Sequence, residues 1–193
     1  MGLDMYLDRY PRYKNATPSE IAAAKDYVEW RAACDAGKDA AKYTFQAWTG
    51  RDTDPDPDLV KFVKGKMTTM YYAWDDEKRW PYQSVIESIG YWRKANEIHG
   101  WFVENVQDGV DDCEFHNEVT KEDLEELRDV CQDVLDDISR AESLLPTRSG
   151  FFFGGTEYDE WYVDDLKRTI DIVNKALETT DFEKQMIFYV SSW

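Results

Sequence analysis

"GLDMYLDRY", residues 2–10, alternates Leu3, Met5 and Leu7 with Asp4, Tyr6 and Asp8. A period of two sends successive side chains to opposite faces, so residues 3–9 have the pattern of a strand with one buried side. This stretch decides the fold class, because much of the chain after it has helical spacing. Two further segments support it. "KMTTMYYAWD", residues 66–75, has the Thr and aromatic content of a strand, and "QMIFYVSSW", residues 185–193, is an apolar run suited to a buried one. Strands at both ends and in the middle predict an α+β domain, with a small, mainly antiparallel sheet covered by about four amphipathic helices.

The helices follow from caps and spacing. Thr17, Pro18 and Glu20 make a capping box with proline at the first helical position, predicting a helix over residues 18–36 before Gly37. A shorter helix is expected over residues 40–48. Trp92, Ala95, Ile98, Phe102 and Val106 recur at helical spacing and predict a second long helix over residues 89–106. Thr120 caps a third, whose apolar stripe runs from Leu124 through Cys131, Ile138 and Ala141 to Leu145, where Pro146 stops it; its other face is almost wholly acidic. Thr156 with Asp159 is expected to open a fourth, through Trp161, Leu166 and Leu177. "GRDTDPDPD", residues 50–58, is an acidic, proline-containing surface loop rather than a linker, so one domain is expected over residues 1–193.

Charge narrows the partners. Forty acidic residues against 23 basic ones leave a formal net charge of −17, which opposes phosphate-backbone contact and so argues against nucleic acid and anionic membrane. No apolar run approaches the ~20 residues that a bilayer requires. Cys34, Cys113 and Cys131 are odd in number and irregularly spaced, and a charged and then apolar leader is missing at the start, so a reducing cytoplasm is the expected location. A homo-oligomer and a protein target both stay open.

Three segments hold the residues that could do chemistry. In "PTRSGFFFGGTEYDEWY", residues 146–162, Phe151 to Phe153 suit a short buried strand, while Gly154 and Gly155 lead into a helix capped by Thr156. Backbone N–H groups at such a helix start favour an anion, and Arg148 would add a charged fork. In "GYWRKANEIHGWF", residues 90–102, a helix would gather Trp92 and His99 on one face with Arg93 and Asn96 beside them, combining ring stacking, cation and amide. "DGVDDCEFH", residues 108–116, has the composition of a metal loop, but its spacing fits neither an EF-hand nor a zinc site, and a solvated acidic loop is expected. Glu157, Asp159, Glu160, Asp164 and Asp165 are explained by the helix dipole they precede or enter. No metal, cofactor or catalytic nucleophile is expected.

"MGLDMYL", "GYWRKANEIHGWFVENVQDGVDDC" and "LLPTRSGFFFGGTEYDEWYVDDL" together make the chain resemble a family of small tailed-phage proteins, some of which carry a phosphoglycerate kinase label. The resemblance covers the first residues and most of the chain after about Gly90, and residues 14–81 are more individual. The kinase label finds no support here, since the chain lacks the length for two nucleotide-type domains and shows no phosphate loop. The resemblance implies a phage protein acting in the cytoplasm of an infected bacterium, and it brings no mechanism. The expectation is thus a protein that binds a small anionic, nucleotide-like ligand through Trp92, Arg93, Asn96, His99, Arg148, Gly154, Gly155 and Thr156, suited to a counter-defence sponge for a host immune signal. Two alternatives stand beside it: an acidic inhibitor of a host factor acting through the helix that Thr120 caps, and a small nucleotide hydrolase using His99 or a carboxylate as base.

Overall fold

A computed structural model describes residues 2–73 and 79–193; Trp74 and Asp75, the end of the expected middle strand, lie outside them. The chain is α+β, as the alternating first strand requires. Its contacts divide it into two units: residues 1–9 with 88–193, and residues 10–87.

The first unit is built on a three-stranded sheet in the order β4-β1-β5. Strand β1 (Asp4–Pro11) is central, β4 (Glu87–Arg93) lies on one side and β5 (Gln185–Ser192) on the other. β4 runs antiparallel to β1: the Lys94 N–H donates to the Leu3 carbonyl at one end, while Gly90 lies against Leu7 further along. Leu3, Met5 and Leu7 are fully buried, as the period of two predicts. They join a core with Trp92, Ile98 and Phe102, and with the apolar stripes of the two longest helices of this unit, α5 (Lys121–Asp136) and α7 (Glu160–Thr179). α4 (Asn96–Asn105) precedes both in sequence and buries most of its length.

Several boundaries differ from expectation, each for a local reason. Residues 89–106 are not one helix. Gly90 and Trp92 face inward while Tyr91 and Arg93 face out, a strand alternation that ends at Lys94, whose φ of 64° is left-handed. Helix α4 then starts at Asn96. Phe151 to Phe153 form no strand: the Phe153 N–H returns to the Gly150 carbonyl in a tight turn, and Phe151 is 96% exposed. The expected third helix breaks at Asp137, whose carboxylate accepts from the Ser139 N–H and hydroxyl; a short side chain of this kind competes with the helical ladder. A 3₁₀ turn (Ile138–Arg140) and a single turn, α6 (Ala141–Leu144), complete the stretch, leaving Ile138 exposed. The cap of α7 is Asp159 rather than Thr156.

The second unit pairs α1 (Pro18–Asp35) with α3 (Pro57–Lys66) over Ile21, Ala24, Leu59 and Val63. The Thr17–Glu20 capping box forms as read. The expected helix over residues 40–48 is a 3₁₀ turn (Asp39–Lys42) followed by α2 (Phe45–Thr49), with Phe45 packed edge-on to Tyr27. Pro57 starts α3 just inside the expected acidic loop, with Asp56 accepting from the Leu59 N–H as its cap. β2 (Thr68–Ala73) and β3 (Arg79–Ser84) form an antiparallel hairpin, and β3 was not anticipated. Among the described residues, no helix is long and apolar enough to cross a membrane.

Candidate functional site

Asn96 organises the site. It is the first residue of α4 and is almost fully buried, so all of its polar atoms need partners. Its amide N–H groups donate to the carbonyls of Phe153 (3.1 Å) and Gly155 (2.8 Å), and its Oδ1 accepts from the Arg148 N–H (2.7 Å). One side chain therefore fixes residues 148–155 against the start of the helix. Gly154 makes the approach possible. Its φ is 94°, and a Cβ there would lie 3.1 Å from the Lys94 Cβ and 3.3 Å from the Lys94 carbonyl oxygen.

Between this strap, the β4–α4 turn and the start of α7 lies a cavity of about 340 Å³. Arg93 and Lys94 contribute its cations, Glu97, Glu157, Asp159 and Asp165 its carboxyl groups, and Trp161 and Tyr162 its aromatic rings. Arg93 is largely exposed, its nearest ion-pair partner being Asp4 at 4.0 Å, so its guanidinium is not committed to a close pair. Trp161 is 73% exposed, an indole standing open to solvent.

Glu97 has the least ordinary environment. It is only 3% exposed, and its Oε1 has no hydrogen-bond partner among the described residues. Burial pushes its pKa up to about 8; a bond from its own backbone N–H works against the rise, and the charge of Asp165 adds to it. Asp165 is itself raised to about 6, mainly by burial, with Arg168 opposing. Near neutral pH the cavity is therefore less negative than its four carboxyl groups suggest. Glu97 also lines a second, smaller cleft of about 200 Å³, with Gly100, Trp101, Leu145 and Arg148.

The expected site residues divide among several places. Arg93, Asn96, Gly154 and Gly155 meet at the cavity. Arg148 does not: its guanidinium passes over Gly100, where a Cβ would lie 2.5 Å from Nε, and pairs with Glu104 at 2.6 Å in the second cleft. Trp92 and His99 belong to the core. Trp92 donates from its indole N–H to the Thr169 hydroxyl (2.9 Å). His99 is fully buried, with Nε2 3.0 Å from Asp111 Oδ1 and Nδ1 2.8 Å from the Tyr189 hydroxyl. A carboxylate only accepts, so Nε2 carries the proton and Nδ1 accepts from Tyr189. Burial lowers the His99 pKa, against the pull of Asp111, and keeps the ring neutral. Thr156 is exposed; its carbonyl accepts from the Thr147 hydroxyl, and it lies three positions before the capping Asp159. The Gly154–Gly155 N–H groups thus do not stand at a helix start, which removes the dipole argument for an anion there.

Glu97, Thr147, Trp161 and Tyr162 line the cavity without having been expected there; Glu157, Asp159 and Asp165 are expected only as acids at a helix start, and Lys94 only as the basic neighbour of Arg93. Lys94 adjoins Arg93, and a basic pair in so acidic a chain is a signal. Glu97 is legible only after α4 is known to start at Asn96, which places a carboxyl near the head of a largely buried helix. Among the described residues, no group of three or more His, Cys, Asp or Glu side chains is arranged to hold a metal. The chain matches no protein-family model, no curated protein and no solved structure.

Proposed function

We propose that this cavity binds a small anionic, nucleotide-like ligand. The observation that carries the proposal is the shared wall: two adjacent cations, an exposed indole and two carboxyl groups with raised pKa line one cavity of about 340 Å³. That volume lies in the range of small-molecule sites. Arg93 and Lys94 would meet the anionic group, Trp161 would stack on a planar ring, and the polar groups around Glu97 would orient it. Lys94 supports this as well. A lysine held at left-handed φ costs backbone energy, and such residues concentrate at ligand sites.

His99 lies outside the cavity lining, and this favours capture over histidine-catalysed turnover. Capture without turnover is what a sponge requires, and a phage protein of this kind would act by sequestration. Calorimetric titration of the folded protein with AMP, CMP, GMP and UMP tests the binding directly. At least one should bind with a Kd tighter than about 1 mM. Arg93→Ala and Trp161→Ala should each weaken binding about tenfold while leaving the thermal midpoint nearly unchanged, because both side chains are largely exposed. No heat with any of the four nucleotides overturns the proposal.

A further inference from the structure

The side chains of Arg93 and Lys94 converge over Gly2, a buried residue just before β1. A Cβ on Gly2 would lie 3.4 Å from Lys94 Cε and 3.8 Å from both Nε and Nη2 of Arg93. Lys94 is directed to this place along its whole length. Its N–H donates to the Leu3 carbonyl (2.8 Å), its φ is 64°, and its stem passes Gly154, where a Cβ would lie 3.1 Å from Lys94 Cβ and 3.6 Å from Cδ. Two glycines thus flank one lysine, Gly154 along the stem and Gly2 at the end. Bringing like charges together is unfavourable, and an exposed lysine on a flexible stem is free to swing away from an arginine. Nothing within the fold compensates for the pairing. Among the described residues the Lys94 ammonium has no hydrogen-bond or ion-pair partner. Arg93 has only Asp4, 4.0 Å from Nε, and that carboxylate already accepts from the Tyr91 hydroxyl. The carboxyl groups of the cavity come from α4, the strap and α7, and none of the described ones forms a salt bridge with either cation.

We propose that Arg93 and Lys94 act as one clamp for a dianion, the terminal phosphate of a nucleoside monophosphate, so that the site selects phosphomonoesters over phosphodiesters. The proposal rests on nucleotide binding at the cavity and names the phosphate class that this site takes. A terminal phosphate has close to two negative charges near neutral pH and three oxygens without a further substituent. The planar fork of Arg93 can hold two of those oxygens side by side, and Lys94 can meet the third as a point charge. A diester has a single charge, and its extra substituent sits on an oxygen that one of the two cations would otherwise contact. The second charge of the monoester therefore interacts with both cations at once, at a place fixed before the ligand arrives. Gly2 is a positioning residue in this arrangement: it touches no ligand, and its missing side chain leaves the room in which the two cations meet.

The test is a set of calorimetric titrations at about pH 7.5, well above the second phosphate pKa of about 6. AMP, CMP, GMP and UMP are each compared with their 5′-phosphate methyl esters, which keep base and ribose and remove one charge. For every nucleotide that binds, the free monophosphate should bind about tenfold more tightly than its ester. Lys94→Met keeps the stem without the charge and should reduce that ratio to about twofold. Gly2→Val, whose branches would part the two cations, should reduce it in the same way, whereas Gly2→Ala, whose Cβ fits at 3.4 Å, should keep it. Each result is a ratio of two ligands on one protein, so a general loss of stability does not imitate it. Equal affinity for monophosphate and ester, or a ratio unchanged in Lys94→Met or Gly2→Val, overturns this inference and leaves nucleotide binding at the cavity standing. No binding by any nucleotide overturns both.

Discussion

Glu97 makes stability depend on pH in an unusual direction. Its folded pKa of about 8 lies above the ordinary 4.5, so the folded state holds a proton that the unfolded chain releases. The stability contributed is fully present below about 4.5 and is lost as pH rises through about 8. His99 acts in the opposite sense. Its folded pKa is below 6.5, so its contribution is present above 6.5 and is lost as pH falls from there. Above 6.5 the Glu97 slope dominates. Urea midpoints measured from pH 6.5 to 8 should therefore fall with rising pH, and Glu97→Gln should remove the slope. Each tenfold change in proton affinity between the folded and unfolded chain is worth ~1.4 kcal/mol, so the variant should be the more stable protein at the alkaline end by roughly a few kcal/mol. A flat wild-type profile would mean that Glu97 ionises freely in the fold.

The Asn96 strap is a device of elements rather than of one contact. It joins the first turn of α4 to a segment without regular structure, and so holds one wall of the cavity. Asn96→Ala should cost about 2–4 kcal/mol in chemical unfolding, because it strands two carbonyls and one N–H in a buried setting. Proteolysis of the variant should begin near residues 148–155 before global unfolding. In the neighbouring turn, Lys94→Gly should change stability by less than about 1 kcal/mol, since relief at left-handed φ offsets added chain entropy, while ligand affinity falls with the lost cation. These two segments also mark where the sequence was hardest to read. The alternation of Leu3, Met5 and Leu7, the Thr17–Glu20 box and the stripe of α7 are local patterns, and each forms as its spacing requires. The span of residues 89–106 misled because Trp92, Ala95 and Ile98 satisfy a helical period while Gly90, Trp92 and Lys94 also satisfy a strand followed by a turn. Only the pairing with β1 decides between them. Half of the expected site residues reach the cavity: Arg93, Asn96, Gly154 and Gly155 meet there through tertiary contacts, whereas Trp92 and His99 were placed by a helical face that does not exist.

At the scale of the molecule, the three thiols report on different depths. Cys113 is exposed, Cys34 is half-buried, and Cys131 is buried in the core of the first unit with its pKa raised by burial. Thiol labelling of the native protein should modify Cys113 first, Cys34 more slowly, and Cys131 only at the rate of global opening of that unit. Equal rates for Cys131 and Cys113 would mean that the α5–α7 core is loose. The position of β1 carries the last consequence. The middle strand of the sheet is synthesised first, one neighbour follows about eighty residues later, and the other is the final strand of the chain. Residues 10–87, a continuous stretch, can condense while the ribosome is still at work. The first unit must wait for residues 88–193, so its Leu3–Met5–Leu7 face stays uncovered until they follow. The high contact order of one strand leaves this apolar face open to aggregation until β5 has been made and has paired with it.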